Sequence, residues 1–224
     1  MSDQSKTPEN IVIATHNPDK LIEIQNVLRD FNIPFLTLED FPEIGQIEET
    51  GKTLADNSLI KANTVFQLTG MPVIADDTGL EVDALNGDPG VHTGRYAGEH
   101  ASYSENIEKL LKAMNGIPQK KRVATFRTVM TYADGTKELQ AEGSIKGVIT
   151  ETPIGDSGFG YDPIFFVPTI NKTFAEMSDA EKNIISHRGL ALQNLRKLLI
   201  HRGELSKPTA NRQGCKLSQK TKNK

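Results

Sequence analysis

Apolar and polar positions along the chain fall into short apolar runs that alternate with longer segments of helical spacing. Ile11-Val12-Ile13-Ala14-Thr15 is a β-branched run, and Leu21, Ile24, Val27 and Leu28 then recur at three- and four-residue intervals. That change of period predicts a strand, a tight loop and a helix. Asn17 suits the N-cap of the helix and Pro18 its first position, where a missing N–H costs nothing. A second strand is expected over 33–38. From Thr53, a helical pattern carries Leu54, Leu59, Ala62 and Phe66 toward Gly70. Pro72-Val73-Ile74-Ala75 then reads as a buried strand ending in Asp76-Asp77, with Thr78-Gly79 as a turn. A third helix is expected over 104–114, with Ile107, Leu110, Leu111 and Met114 as its apolar positions.

The second half reads as antiparallel. Residues 123–133 form a long β-rich run, Asp134-Gly135 is a hairpin signal, and a return strand is expected over 137–143. A further strand is expected over 147–150, and 153–168 reads as a Gly- and Pro-rich loop with an embedded aromatic run. Ser178-Asp179-Ala180-Glu181 has capping-box form ahead of a final helix over 186–200. With no internal repeat and no linker, the pattern predicts one α/β domain over 11–203. A polar N-terminus (1–10) precedes it, and a basic tail (204–224) follows.

Composition narrows this picture. A chain of 224 residues with 37% hydrophobic and 25% charged residues can bury a core without disulfides. Its single cysteine, Cys215, has no intramolecular partner. No apolar run reaches the roughly 18 to 20 residues of a membrane helix, and the polar start lacks signal-peptide form, so the cytoplasm is expected. Residues 207–224 hold six basic residues and no acid; without them, 20 basic residues face 29 acidic ones, a net of −9. A body that acidic repels a nucleic-acid backbone, so no specific nucleic-acid partner is expected. The tail itself reads as a solvated extension.

Candidate chemistry gathers at a few junctions. Thr15-His16-Asn17-Pro18-Asp19-Lys20 lies where a strand enters a helix, so free N–H groups, the positive helix end and Lys20 can receive phosphate. Gly51-Lys52-Thr53 is not a P-loop, because five residues separate it from Gly45 where that motif needs four. Ser58 and Lys61 match a Ser-x-x-Lys pattern, but no Lys-Thr-Gly follows. Glu48, Glu49, Asp76 and Asp77 are hard oxygen ligands suited to Mg²⁺, whereas the five histidines form no His-x-x-x-His pair. Ser157-Gly158-Phe159-Gly160-Tyr161-Asp162-Pro163 is either a structural turn or a base-stacking platform, and Lys182, His187 and Arg188 frame the start of the last helix.

Taken together, the segments resemble the inosine-triphosphatase family of pyrophosphatases for non-standard purine triphosphates. The likeness covers residues 11–200. It rests on Thr15-x-Asn17-x-x-Lys20, Glu48-Glu49-Thr50-Gly51, Asn57 and Lys61-Ala62, Ala75-Asp76-Asp77-Thr78-Gly79-Leu80, Asp88-Pro89-Gly90 and Arg95-Tyr96-Ala97-Gly98. It continues through Gly158-Phe159-Gly160-Tyr161-Asp162-Pro163 and Ser186-His187-Arg188.

The resemblance implies a two-lobed α/β fold with a nucleotide cleft between the lobes, a homodimer and Mg²⁺ dependence. It also implies hydrolysis of ITP, dITP and XTP to the monophosphate and pyrophosphate, by water attack at the α-phosphorus. Carried over by position, Thr15, His16, Asn17, Pro18, Asp19 and Lys20 hold the triphosphate, Glu49 and Asp77 bind Mg²⁺, and Lys61 contacts phosphate. Asp77 is the favoured general base, with Asp76 beside it. Thr78 stands where serine is usual. Phe159, Gly160, Tyr161, Asp162, Lys182, His187 and Arg188 hold the purine and its adjoining sugar or phosphate, with Arg188 and His187 reading the 6-oxo group. The rival functions are a nucleotide kinase, an NTPase releasing phosphate and a non-catalytic nucleotide-binding regulator.

Overall fold

Four consecutive apolar residues, three of them β-branched, form β1 (Ile11–Ala14), buried along its whole length. The computed structural model describes residues 8–28 and 34–205, so the tail beyond 205 lies outside the described residues. The chain turns into α1 (Pro18–Leu28) and returns as β2 (Phe35–Thr37), parallel to β1. Next comes α2 (Leu54–Thr69). Its N-cap Thr53 and Asp56 exchange side-chain and backbone hydrogen bonds, and Gly70 ends it at φ 66°, a left-handed conformation that glycine adopts without steric cost.

Beyond it lie β3 (Val73–Val82), the short β4 (Pro89–Gly90), α3 (Tyr103–Ala113), and the hairpin of β5 (Val123–Ala133) and β6 (Glu138–Ile149). The chain closes with β7 (Phe165–Val167), β8 (Lys172–Thr173), α4 (Asp179–Ile185) and α5 (His187–His201). All strands join one mixed sheet of order β2-β1-β3-β5-β6-β7-β8, with β4 on the free edge of β3. The β2, β1 and β3 pairings are parallel and the rest antiparallel.

Three apolar clusters line this sheet. Ile24 and Leu28 of α1 pack with Leu192, Leu195 and Leu199 of α5 over Ile13, Ile74 and Met130. Ala62 and Val65 of α2 pack with Val12, Val73 and Ala133. Leu110 of α3 and Phe165 of β7 pack with Leu80, Val82 and Phe126 at the far end of the long strands. No described helix is long and apolar enough to cross a membrane.

Several expectations change. Asp76-Asp77 does not end its strand, and Thr78-Gly79 is no turn: β3 runs on to Val82, paired with β5 from Val73 to Val82. The run of β-branched and apolar residues in β5 supplies a partner long enough to carry β3 through its polar stretch. The strands expected over 137–143 and 147–150 are one strand, β6, which follows β5 in register from Glu138 to Val148. The loop over 153–168 contains β7, and the Ser178–Glu181 box caps the short α4. It is Ser186 that caps α5, accepting from Gly189 N.

The first turns of the last helix meet the sheet at a glycine, with no side chain between. A Cβ at Gly143 of β6 would overlap His187 O and Ala191 N of α5, so only glycine permits this approach. Gly143→Ala is expected to push the first turn of α5 outward. Stability should fall by about 1 to 3 kcal/mol, and His187 and Arg188 should move with that turn. Gly45→Ala, at a position with open space around it, is the control. Thermal melts of the two variants check this, and an unchanged Gly143→Ala melt refutes it.

Candidate active site

Along β3, neighbouring strands leave a gap. β1 accompanies it as far as Ala75, opposite Ala14, and β4 begins at Leu80. Between these limits the edge lacks a strand partner, and side chains take over the open backbone groups. Lys61 Nζ donates to Asp76 O at 2.7 Å, Thr78 N donates to Asp77 Oδ1 at 2.8 Å, and Leu80 N donates to Thr93 Oγ1 at 2.8 Å. A cleft of about 820 Å³ opens along this edge, within the usual range for a small-molecule site.

Because successive strand residues face opposite ways, the two acids serve opposite faces of the sheet. Asp76 points toward α1 and α5. Its Oδ2 meets Lys20 Nζ at 3.0 Å, Thr78 Oγ1 at 3.2 Å and Arg188 Nε at 3.5 Å. Burial opposes its charge, but Lys20, Arg188 and Lys61 outweigh burial and hold the carboxyl well below its usual range. Asp77 points toward α2. Its Oδ2 accepts from Asn57 Nδ2 at 3.0 Å, and burial, reinforced by the charge of Glu49, pushes its pKa up to about 6 despite Lys20 and Lys61. The pair therefore divides into a permanent buried anion and a carboxyl with the basicity of a general base.

Lys61 of α2 meets Glu49 Oε1 at 2.5 Å. Burial works against its charge, yet Asp76 and Glu49 together raise its pKa above the ordinary lysine value, so it is a fixed cation. Asn57 is a residue whose role the sequence does not announce. While its amide donates to Asp77, its Oδ1 accepts from Gly51 N at 2.8 Å, tying the Glu49 loop to the strand.

At the other end of the cleft, Lys182 Nζ lies 2.6 Å from Asp162 and 2.8 Å from Glu23, and Arg188 pairs with the same Glu23. Glu23 is the second unannounced residue: one acid on the polar side of α1 holds both cations. Lys182 Nζ and the Arg188 guanidinium carbon lie 4.7 and 5.5 Å from the Phe159 ring centre. His187 stacks on Phe126 at 4.4 Å, and burial drives its pKa far below the usual histidine value, so the ring is neutral. Its Nδ1 and Arg188 Nε are buried without hydrogen-bond partners. Arg188 Nε faces Asp76 Oδ2, so it is the unpartnered His187 Nδ1 that a ligand supplying a hydrogen bond would satisfy.

Most of the candidate residues meet here. Thr15, His16, Asn17, Lys20, Glu49, Lys61, Asp77, Thr78, Phe159, Gly160, Tyr161, Asp162, Lys182, His187 and Arg188 line the cleft, while Pro18 and Asp19 do not. Asp76 lies behind its wall. Three other readings shift. The α1 end has no free N–H from Asp19 or Lys20, because Asn17 Oδ1 accepts from both, at 2.9 and 3.1 Å. Tyr161 is core, 3% exposed, with its hydroxyl on Thr93 O. Asp162 is held inside the wall by Lys182 and Phe159 N, so Phe159 is the aromatic face left to a base. Ser58 is bonded to Ala55 O and Thr131 Oγ1 and is no nucleophile.

The model of the Ham1 family matches residues 11–198. The chain belongs to the Ham1 family. Among its relatives, a dITP/XTP pyrophosphatase of Thermoanaerobacter pseudethanolicus is 45% identical over 194 residues, covering 87% of this chain and 98% of that protein. One of Listeria monocytogenes is 47% identical over 191 residues, covering 85% and 94%. A solved Ham1 protein from Coxiella burnetii has a TM-score of 0.79 at 42% identity, covering 86% of this chain and 98% of that one. The Ham1 match thus spans every strand and all of the cleft.

The cleft of this Ham1 chain is poor in net charge. Glu48, Glu49, Asp77, Glu99 and Asp162 line it against Lys20, Lys61, Arg95, Lys182 and Arg188, and Asp76 and Glu23 add two anions behind. No cluster of three or more His, Cys, Asp or Glu suited to a metal occurs among the described residues. The carboxylates of Glu49 and Asp77 do share one wall, and Glu49 raises the pKa of Asp77, so the two repel. That donor pair fits Mg²⁺, which takes one or two carboxylates and completes its shell with phosphate and water.

Asp77 also makes stability depend on pH. Its folded pKa of about 6 lies above the ordinary 3.8, so folding favours its protonated form. The stability this contributes is full below about pH 4 and is lost as pH rises through 6, a change of order 3 kcal/mol. In metal-free protein, Asp77→Asn is expected to flatten the fall in melting temperature between pH 4 and 7. Melts in a chelating buffer test this, and parallel pH slopes for the two proteins refute it.

Proposed function

We propose that this chain hydrolyses non-standard purine nucleoside triphosphates, ITP, dITP and XTP, to the monophosphate and pyrophosphate, removing them from the nucleotide pool. Mg²⁺ dependence, a homodimer and action in the cytoplasm belong to the same proposal. The observation that carries it is the layout of one cleft. Lys20, Lys61 and an acid with pKa near 6 stand at one end, and an aromatic face with Arg188 and the unpartnered His187 Nδ1 stands at the other. The dITP/XTP pyrophosphatases at 45% and 47% identity support the same reading.

A triphosphate carries about four negative charges, and a cleft with balanced charges does not attract it unaided. Mg²⁺ held by Glu49 and Asp77 would supply that neutralisation and polarise the phosphate oxygens. Lys20 and Lys61, fixed by Asp76 and Glu49, contact phosphate oxygens without having to reorganise. Asp77 orients a water toward the α-phosphorus and takes its proton. Attack there expels pyrophosphate in one step, with no covalent intermediate and no nucleophilic side chain.

At the base, Arg188 retains N–H donors beyond those spent on Glu23 and Thr78, and the preceding residue, His187, has an unpartnered Nδ1. A 6-oxo acceptor pairs with such donors, whereas the 6-amino group of adenine opposes them. Leaving a buried charged donor unpaired costs several kcal/mol, enough for discrimination of about a thousandfold.

The deciding experiment identifies the product from ITP and Mg²⁺: pyrophosphate supports the proposal, phosphate indicates an ordinary NTPase, and no product indicates a binding protein. Asp77→Asn is expected to keep the fold and lose at least about a hundredfold in turnover; near-normal turnover at saturating Mg²⁺ would remove Asp77 from the role of base. Arg188→Ala should lose far more kcat/KM on ITP than on ATP, while the ITP/GTP ratio moves less because GTP also carries a 6-oxo group. Equal proportional losses on all three substrates would assign Arg188 to holding Glu23 and Asp76 instead.

A further inference from the structure

Tyr103, the first residue of α3, is 43% exposed, yet its hydroxyl reaches α1. It accepts from Asn17 Nδ2 at 3.1 Å and donates to Asp19 Oδ2 at 3.2 Å. Its ring lies 6.0 Å from that of Phe159, tilted by 43°. α3 is anchored in the far cluster through Leu110, and α1 in the opposite one through Ile24 and Leu28. One phenol therefore links two separately packed parts of the molecule beside the cleft that it lines.

Two physical consequences follow from those bonds. Asn17 Oδ1 is spent on capping α1, so the amide nitrogen is the only polar group its side chain can offer an anion. A primary amide has two N–H groups; Tyr103 takes one and so fixes the direction of the other. Next to it, Asp19 carries a full negative charge in the first turn of α1, close to where a polyanion must bind. The Tyr103 hydroxyl donates to that carboxylate, and Asp19 is not among the residues that line the cleft. Burial raises the pKa of the phenol, so Tyr103 keeps the proton it donates.

We propose that Tyr103 is a positioning residue for the triphosphate: it aims the free N–H of the Asn17 amide into the cleft and keeps the Asp19 carboxylate turned out of it. The inference rests on the pyrophosphatase reading and adds a residue that the family-like motifs of this sequence do not contain. Both effects act on the bound polyanion as a whole, so they bear on binding more than on the chemical step.

The test uses the full chain with ITP and Mg²⁺, in wild type, Tyr103→Phe, Asp19→Asn and the double variant. Tyr103→Phe keeps the ring and removes only the hydroxyl, so its melting temperature should stay within about 2 °C of wild type. KM is expected to rise about three- to tenfold, with kcat within about twofold. In the Asp19→Asn background the same substitution should lose at least half of that penalty, because the charge it uncovers is gone. A merely structural tyrosine would show no such coupling. An unchanged KM, a loss confined to kcat, or a penalty undiminished by Asp19→Asn overturns the inference. Wild type that releases no pyrophosphate from ITP overturns the functional reading itself, whereas active wild type with an indistinguishable Tyr103→Phe overturns this inference alone.

Discussion

The buried carboxylate of Asp76 is the constraint around which the rest of the site is arranged. A charge with no exposure to water is tolerated in a protein only when it is paired and hydrogen-bonded. Lys20 comes to it from α1, Arg188 from α5 and Thr78 from its own strand, while the nearby charge of Lys61 adds to the field. Each of those groups also faces the cleft, so the demand for counter-charge is what brings the cations of its two ends within reach of one ligand. Arg188 is then shared with Glu23, and Glu23 with Lys182, which extends the same network to Phe159.

Asp77 gains its character from contrast with that neighbour. One residue along the strand, it faces the other side of the sheet, where α2 supplies an amide and a cation already committed to Glu49. Its desolvation, together with the charge of Glu49, therefore outweighs what Lys20, Lys61 and Asn57 return, and its proton affinity rises. Strand alternation thus shifts the proton affinities of two identical side chains in opposite directions.

Much of this was legible in the sequence, and the limits have physical causes. β1, α1, α2, α3 and the β5–β6 hairpin follow from apolar period, caps and turn residues, since those signals are local. The continuation of β3 through Asp76-Asp77-Thr78-Gly79 was not legible, because nothing local marks a polar stretch as strand; its pairing with β5, about fifty residues away in the chain, decides it. The cleft residues that sit in motifs were found, as their types and order carry the signal. Glu23 and Asn57 were not assigned roles: each is a polar residue on a helix, and its function lies in partners that only the tertiary fold brings near. The α1 terminus misled for a related reason. A good N-cap residue was recognised at Asn17, but a cap that bonds to the first turn's N–H groups removes those donors from any ligand.

The gap along β3 also limits how this site can change over time. Where strand partners are missing, the main chain is completed by Lys61, by the carboxylate of Asp77 and by the hydroxyl of Thr93. Two of these three groups are also the proposed phosphate contact and general base. A drift that discards the activity must therefore repair the backbone at the same positions, and a borrowed copy of these side chains on a fully paired strand would lose the vacancy that orients them.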